Sequence, residues 1–299
     1  MRQDATKDLD EVVLDALALH ASYPLPTLQF PPSKKRLVAA SGNALPTGKV
    51  LFQGENCVFA DQGQYAAALE QQPDIDAAVV ISASGGKDAP VIIEDLLKRG
   101  LPTCLLTCDG SSPGAKLLPK ERVFVTRRND EPITYNTSTY LGMILARTRE
   151  QPGLLRRHLL QRVRPRLREL PRYGAYFLIV RPEFDTVREM FLTKFDELFG
   201  PRLLGRCYTT RQIVHAKTVV PWDRELFIGF GCRNTKFGRA RLHVPLPEPA
   251  GFAAMVATGY YVIGHIQSRF PAWFKQHAGA YAELQPRLFK WQEQGRLFR

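Results

Sequence analysis

The stretch that most constrains the fold is Ala77 to Gly86, Ala-Ala-Val-Val-Ile-Ser-Ala-Ser-Gly-Gly, an apolar run that breaks into small hydroxyl and glycine residues just before a helix-like segment, Pro90 to Arg99. An apolar run without alternation suits a strand covered on both faces, as in a parallel sheet. Glycines let the backbone approach a ligand closely, and the helix that follows presents unpaired N–H groups and its positive dipole end. Ser82 and Ser84 add hydroxyl donors and Lys87 adds charge. The junction is therefore a candidate oxyanion cradle, a phosphate being the natural occupant. Glycine and serine after a strand are also ordinary turn chemistry, and at this point both readings stand.

The same rhythm of short apolar runs and amphipathic stretches extends through the first half, the pattern of a parallel sheet covered by helices. Strands are expected at Arg36 to Ala40, Asn56 to Ala60, Asp76 to Ser82, Thr103 to Thr107 and Arg122 to Val125; helices at Thr47 to Gln53, Gln62 to Gln71, Ala89 to Arg99 and Thr137 to Glu150. After an arginine-rich segment the rhythm restarts. Strands are expected at Tyr176 to Val180, Leu203 to Tyr208, Glu225 to Phe230 and Ala240 to Pro245, with helices at Glu183 to Phe199, Thr210 to Val219, Gly251 to Ser268 and Ala272 to Glu283. The chain of 299 residues is long enough for two such domains. The expected division is a helical extension over 1–33, with a helix from Thr6 to His20 that packs across the body of the protein; a phosphate-binding α/β domain over 34–150; a basic connector over 151–172; a second α/β domain over 173–270; and a C-terminal helix and tail over 271–299.

Composition excludes several classes. The apolar fraction of 44% and charged fraction of 23% are those of a soluble globular protein. No stretch approaches the roughly 20 apolar residues that cross a bilayer, and Met1 to Asp10 is charged where a secretory signal would be greasy. A cytoplasmic protein without a membrane partner is expected. The net charge of +12 owes much to Arg156, Arg157, Arg162, Arg164, Arg166, Arg168 and Arg172, which read as a solvated basic helix and linker; a rim that steers anions and a phosphate-backbone patch are the sharper alternatives. No finger spacing or aromatic RNA-binding signature accompanies them, so nucleic acid is not an expected partner. Of five cysteines only Cys104 and Cys108 are close together, in an apolar run that suits buried thiols, and no metal site is expected.

Two tandem doubly wound domains with hydroxyl-rich loops at strand ends resemble the sugar isomerase (SIS) domain family, a flavodoxin-like α/β fold with parallel sheets flanked by helices. Val80-Ile-Ser-Ala-Ser-Gly-Gly-Lys-Asp-Ala-Pro-Val91 is similar to that family's phosphate loop, and Ala39-Ala-Ser-Gly-Asn-Ala-Leu-Pro-Thr-Gly48 to its first loop. Glu131 to Tyr140 resembles the family's acidic residue followed by a hydroxyl-rich helix start. In the second half, Lys194-Phe-Asp-Glu197 resembles the Lys-x-x-Glu of the phosphosugar-isomerising members, and His215 falls where those members carry a histidine. The resemblance extends to phosphoglucose/phosphomannose isomerase and to the isomerase half of glucosamine-fructose-6-phosphate aminotransferase.

What the resemblance implies is a protein, often a homodimer, that binds a phosphorylated sugar and shifts its carbonyl between C1 and C2 with no metal or organic cofactor. Such chemistry needs a base for a carbon-bound proton, a partner for oxygen and a group that opens the ring. Glu197 would be the base, His215 the ring-opening group, and Lys194 would steady the enediolate or the carboxylate. Lys290 is the candidate for a C-terminal lysine that reaches substrate, and Lys275 a weaker one. Ser41, Gly42, Ser82, Ser84, Gly85 and Lys87 would hold the phosphate, with Thr137 nearby. Each has a plainer reading: Lys194 and Glu197 a surface ion pair, His215 a helix cap, Thr137 an N-cap, Lys290 part of an arm that docks through aromatic burial. The second half also departs from the family, because Arg-Pro-Glu-Phe follows Val180 and Phe230 to Phe237 lacks the usual serine pair, although its Arg233 to Lys236 are polar. A binding-only sensor or regulatory protein is thus the alternative to an isomerase.

Overall fold

A computed structural model describes residues 7–216 and 220–293. After α1 (Leu9–Ser22) the chain runs β1 (Arg36–Ala40), α2 (Ala44–Leu51), β2 (Cys57–Ala60), α3 (Tyr65–Gln71), β3 (Ala77–Ile81), α4 (Asp88–Lys98), β4 (Thr103–Thr107), α5 (Pro113–Lys116), β5 (Val123–Val125) and α6 (Thr137–Thr148). The five strands form one parallel sheet in the order β2-β1-β3-β4-β5, with Val38 opposite Val79 and Val79 opposite Cys104. Every residue of β1, β3 and β4 is buried because helices cover both faces. Leu37, Val80, Ile93 and Leu105 pack on one face, and Val38, Ile81, Leu106 and Met143 on the other.

The second unit begins earlier than its first strand. α7 (Pro152–His158) and α8 (Arg164–Leu167) are joined by a π turn, Leu159–Val163, into one helical stretch. Leu155, Leu159, Val163 and Leu167 are buried in the largest core cluster, while Arg156, Arg157, Arg164 and Arg166 are exposed. The segment is therefore a wall of the core and not a solvated linker. The apolar residue at every fourth position decides this, and the arginines on the outer face masked it.

There follow β6 (Ala175–Val180), a 3-10 turn (Pro182–Val187), α9 (Arg188–Phe199), β7 (Leu204–Thr209), α10 (Gln212–Ala216), β8 (Glu225–Phe230), β9 (Ala240–Val244), α11 (Phe252–Gln267) and α12 (Trp273–Glu293). The order β7-β6-β8-β9, again parallel, repeats the winding of the first four strands of the other sheet. The expected helix over Thr210 to Val219 is observed as α10, and 217–219 lie outside the described residues. α12 runs on past its expected end and through Pro286.

One helix ties the two sheets together. α1 packs on α6, α7 and α11 and buries Leu9, Val12, Val13, Ala16 and Leu17. At Gly264 of α11 the backbones come so near that a Cβ would run into the backbone of Leu9 and Asp10. At its other end the buried His20 ring lies against Gly142 of α6 and donates from Nε2 to the Ser138 carbonyl at 2.8 Å.

Candidate functional site

In an open parallel sheet the crevice for a ligand opens at the carboxyl ends of two neighbouring strands whose connections leave in opposite directions. Here those strands are β1 and β3. The segments that follow them supply Ser41 and Gly42 from β1, and Ser82, Ser84, Gly86 and Lys87 from β3, to a cavity of about 510 Å³. Gln62 beyond β2, Arg128 beyond β5, Thr134 and Asn136 before α6, and Gln285 and Phe289 of α12 complete its wall.

The loop after β3 is held from below. The Ala83 carbonyl accepts from Thr107 Oγ1 at 3.0 Å, and the Gly85 carbonyl accepts from the Gly114 amide at 2.9 Å. The Gly85 amide donates to Ser82 Oγ at 3.2 Å and the Gly86 amide to Ser84 Oγ at 3.3 Å. Gly85 has φ +61°, and a Cβ there would collide with the Ser112 side chain, so only glycine fits the turn. Lys87 adopts φ 52° without that excuse, immediately before α4 begins at Asp88. Its ammonium sits 3.3 Å from the centroid of the Phe289 ring, and burial lowers its pKa. Across the cavity Ser41 donates its hydroxyl to Gln62.

The acidic group comes from the other sheet's covering helix. Lys194 on α9 has no solvent exposure, and its ammonium donates to the carbonyls of Thr134 and Tyr135 at 3.1 and 3.0 Å and to Glu197 Oε2 at 2.6 Å. The pair is therefore no surface ion pair, since one member is wholly buried. Glu197 lines a second cavity, of about 540 Å³ and walled largely by Phe199, Trp273, Phe274 and Tyr281. Thr134 lines both cavities and holds φ +73°. Tyr140, on the wall of the first cavity, has its phenol pushed well up by burial and, secondarily, by the charge of Glu197.

The remaining expected site residues fall elsewhere. Thr137 is buried off the cavity, and its amide, with that of Ser138, donates to the Glu131 carboxylate at 2.6 Å, so Glu131 caps α6. His215 is exposed on α10 and lines neither cavity. Lys290 is exposed beside Phe289, and Lys275 is paired with Asp8 at 3.1 Å. At the corresponding strand ends of the second sheet, Arg181 pairs with Glu183 at 2.8 Å, and the Asn234 side chain accepts from the Lys236 and Phe237 amides. Gln62, Arg128, Asn136 and Phe289 were not foreseen. Gln62 and Arg128 each follow an expected strand, Asn136 lies in the Glu131 to Tyr140 motif, and Phe289 belongs to the arm expected to dock through aromatic burial, but which of them reach the cavity is set by tertiary folding. Among the described residues no cluster of three or more His, Cys, Asp or Glu could hold a metal, and no helix is long and apolar enough to cross a membrane.

No protein-family model matches the sequence, and neither does any curated protein. Solved structures do match in three dimensions. The C-terminal domain of glucosamine-fructose-6-phosphate aminotransferase from Francisella tularensis superimposes with a TM-score of 0.60 at 10% identity, covering 91% of this chain and 94% of that one. Tagatose-6-phosphate ketose/aldose isomerase from Escherichia coli gives 0.58 at 13% identity, covering 91% and 90%. Glucosamine-6-phosphate deaminase from Thermotoga maritima gives 0.58 at 15% identity, covering 87% and 91%. At such identities the likeness is one of fold: two tandem α/β units with parallel sheets flanked by helices, shared over most of the chain, as the sequence resemblance implies.

Proposed function

We propose that this chain is a phosphosugar-binding SIS protein that holds a hexose 6-phosphate, or an amino-sugar phosphate, in the cradle and isomerises it between aldose and ketose. The observation that carries the reading is the shared wall at Thr134: the residue borders the hydroxyl-rich cavity, and its carbonyl is bound by the ammonium that also holds Glu197. The phosphate accepts hydrogen bonds from Ser82, Ser84 and the start of α4, with Lys87 adding charge. The sugar then extends along Thr134 toward Glu197. Glu197 takes the proton from one carbon of the carbonyl pair and returns it to the other, and Lys194 fixes the carboxylate's orientation. His215 opens the ring only if a second copy of the chain brings it, because within one copy it faces solvent away from both cavities. A homodimer is part of the proposal for that reason.

The test is incubation with fructose 6-phosphate and measurement of the aldose products. Turnover is expected in the unaltered chain and loss of turnover with retained binding in Glu197→Gln. A second reading, a sensor that binds without turnover, draws on the fact that Glu197 lines the apolar cavity and not the cradle itself. Thermal stabilisation by sugar phosphates with no product would favour the sensor. Mixing Glu197→Gln with His215→Ala restores activity only if the two groups come from different copies.

A further inference from the structure

Isomerisation through an enediolate needs a hydrogen-bond donor for the carbonyl oxygen as well as a base for the carbon-bound proton. Lys194 does not supply it. Its ammonium has no solvent exposure, and its three hydrogens go to the Thr134 carbonyl, the Tyr135 carbonyl and Glu197 Oε2. His215 is exposed and lines neither cavity, and Ser41 on the cradle wall spends its hydroxyl on Gln62.

Tyr140 is a buried wall residue with a donor to give. It lies in the first turn of α6, only 6% exposed, in the apolar cluster of Ile81 and Leu106 against which Ala83 of the loop after β3 packs. The hydroxyls of Tyr135 and Tyr176 are bonded, the first to Gln267 and the second to the Tyr173 amide. That of Tyr140 has no hydrogen-bond partner among the described residues. Tyr260 also lacks one, but its hydroxyl is sealed from open space, whereas the Tyr140 hydroxyl keeps some accessible surface. The space that Tyr140 borders is the cradle cavity. A phenol O–H withdrawn from water and left unpaired costs stability that a bound oxygen would recover. Burial first, and then the charge of Glu197, push its pKa up, which keeps it protonated and places it on the Glu197 side of the cradle.

We propose that Tyr140 is a catalytic residue of the cradle, its hydroxyl donating a hydrogen bond to the substrate oxygen that gains negative charge when Glu197 removes the carbon-bound proton. The inference rests on the isomerase reading and supplies the donor which that reading lacks. As Glu197 takes the proton, the C–H electron pair becomes the C=C bond and the carbonyl pair moves onto oxygen, where the Tyr140 O–H meets it. The hydroxyl proton on the neighbouring carbon passes to that oxygen. Glu197 then returns its proton to the former carbonyl carbon and the new carbonyl forms. Tyr140 keeps its own proton throughout, and no outside oxidant or reductant is needed.

The test compares the full chain with its Tyr140→Phe variant in the isomerisation of fructose 6-phosphate and in binding of 5-phosphoarabinonohydroxamate, whose paired oxygens imitate the enediolate. The variant loses one oxygen and keeps the packed ring, so its thermal unfolding should match that of the unaltered chain. Its kcat should fall about a hundredfold while KM stays within about threefold, the split expected of a contact made chiefly in the transition state. The hydroxamate should bind about tenfold or more weakly to the variant. A kcat within about threefold of the unaltered value, or unchanged hydroxamate affinity, overturns the role of Tyr140 and leaves the isomerase reading standing. No turnover by the unaltered chain overturns both.

Discussion

The Lys194 ammonium lies 2.6 Å from the Glu197 carboxylate, one helical turn on, in a position without solvent exposure. Two backbone carbonyls from the segment before α6 take its other hydrogens, so this lysine fastens the second sheet's helix to the loop that closes the first sheet's cavity. Lys194→Met strands those carbonyls and an ion-paired carboxylate together and should cost about 3 kcal/mol. Glu197→Gln keeps both carbonyl contacts and should cost about 1 kcal/mol. Urea denaturation of the two variants checks the ordering; equal losses would mean that the carbonyl contacts contribute little.

Gly85→Ala should damage binding as well as stability. The residue sits at φ +61° with Ser112 where a Cβ would go, so alanine forces the loop off its seat, at a cost of about 2 kcal/mol. Paired with Ser112→Ala, which removes the colliding hydroxyl, part of the loss should return. A fully stable Gly85→Ala that binds sugar phosphate normally would contradict the described loop.

Glu131 satisfies two otherwise orphaned amides at the start of α6, Thr137 and Ser138, from a nearly buried position. Glu131→Gln replaces one accepting oxygen by an NH2 group facing a donor. A loss of about 2 kcal/mol is expected by chemical denaturation, and a loss below about 0.5 kcal/mol would show that the cap is dispensable.

Burial lowers the pKa of His20 from the usual 6.5. The unfolded chain therefore takes up this proton before the folded one does, and the stability tied to the neutral ring is present above pH 6.5 and lost as pH falls below it. His20→Gln keeps a donor toward the Ser138 carbonyl and removes the titration. Between pH 7.5 and about pH 5 the unaltered chain should lose more stability than the variant; parallel curves would contradict a buried neutral imidazole.

The sheets were legible in the sequence because strands buried on both faces are unbroken apolar runs, and β1, β4 and β8 fall where the pattern puts them. The position of the loop after β3, with Ser82 and Ser84 on the cavity wall, was legible for the same local reason. Elements that answer to tertiary contacts were harder to read. The four-residue apolar spacing from Leu155 to Leu167 was hidden under arginines, and α12 continues beyond its expected end at Glu283 and through Pro286. The i, i+3 spacing of Lys194 and Glu197 was visible, but not that burial would join the lysine to Thr134. Phe289 was expected to dock through aromatic burial, but that it and Arg128 meet at this cavity depends on tertiary folding and not on a local pattern.

The central claim is that the loop after β3 grips the phosphate of a sugar, and the most direct measurement is a crystal structure of the chain soaked with fructose 6-phosphate. The expected result is phosphate density within hydrogen-bond distance of Ser82, Ser84 and the first turn of α4, with Lys87 drawn off the Phe289 ring toward it. Phosphate density lodged instead against Arg233 to Lys236 in the second unit, or an unchanged Lys87 beside an empty loop under saturating ligand, would contradict it.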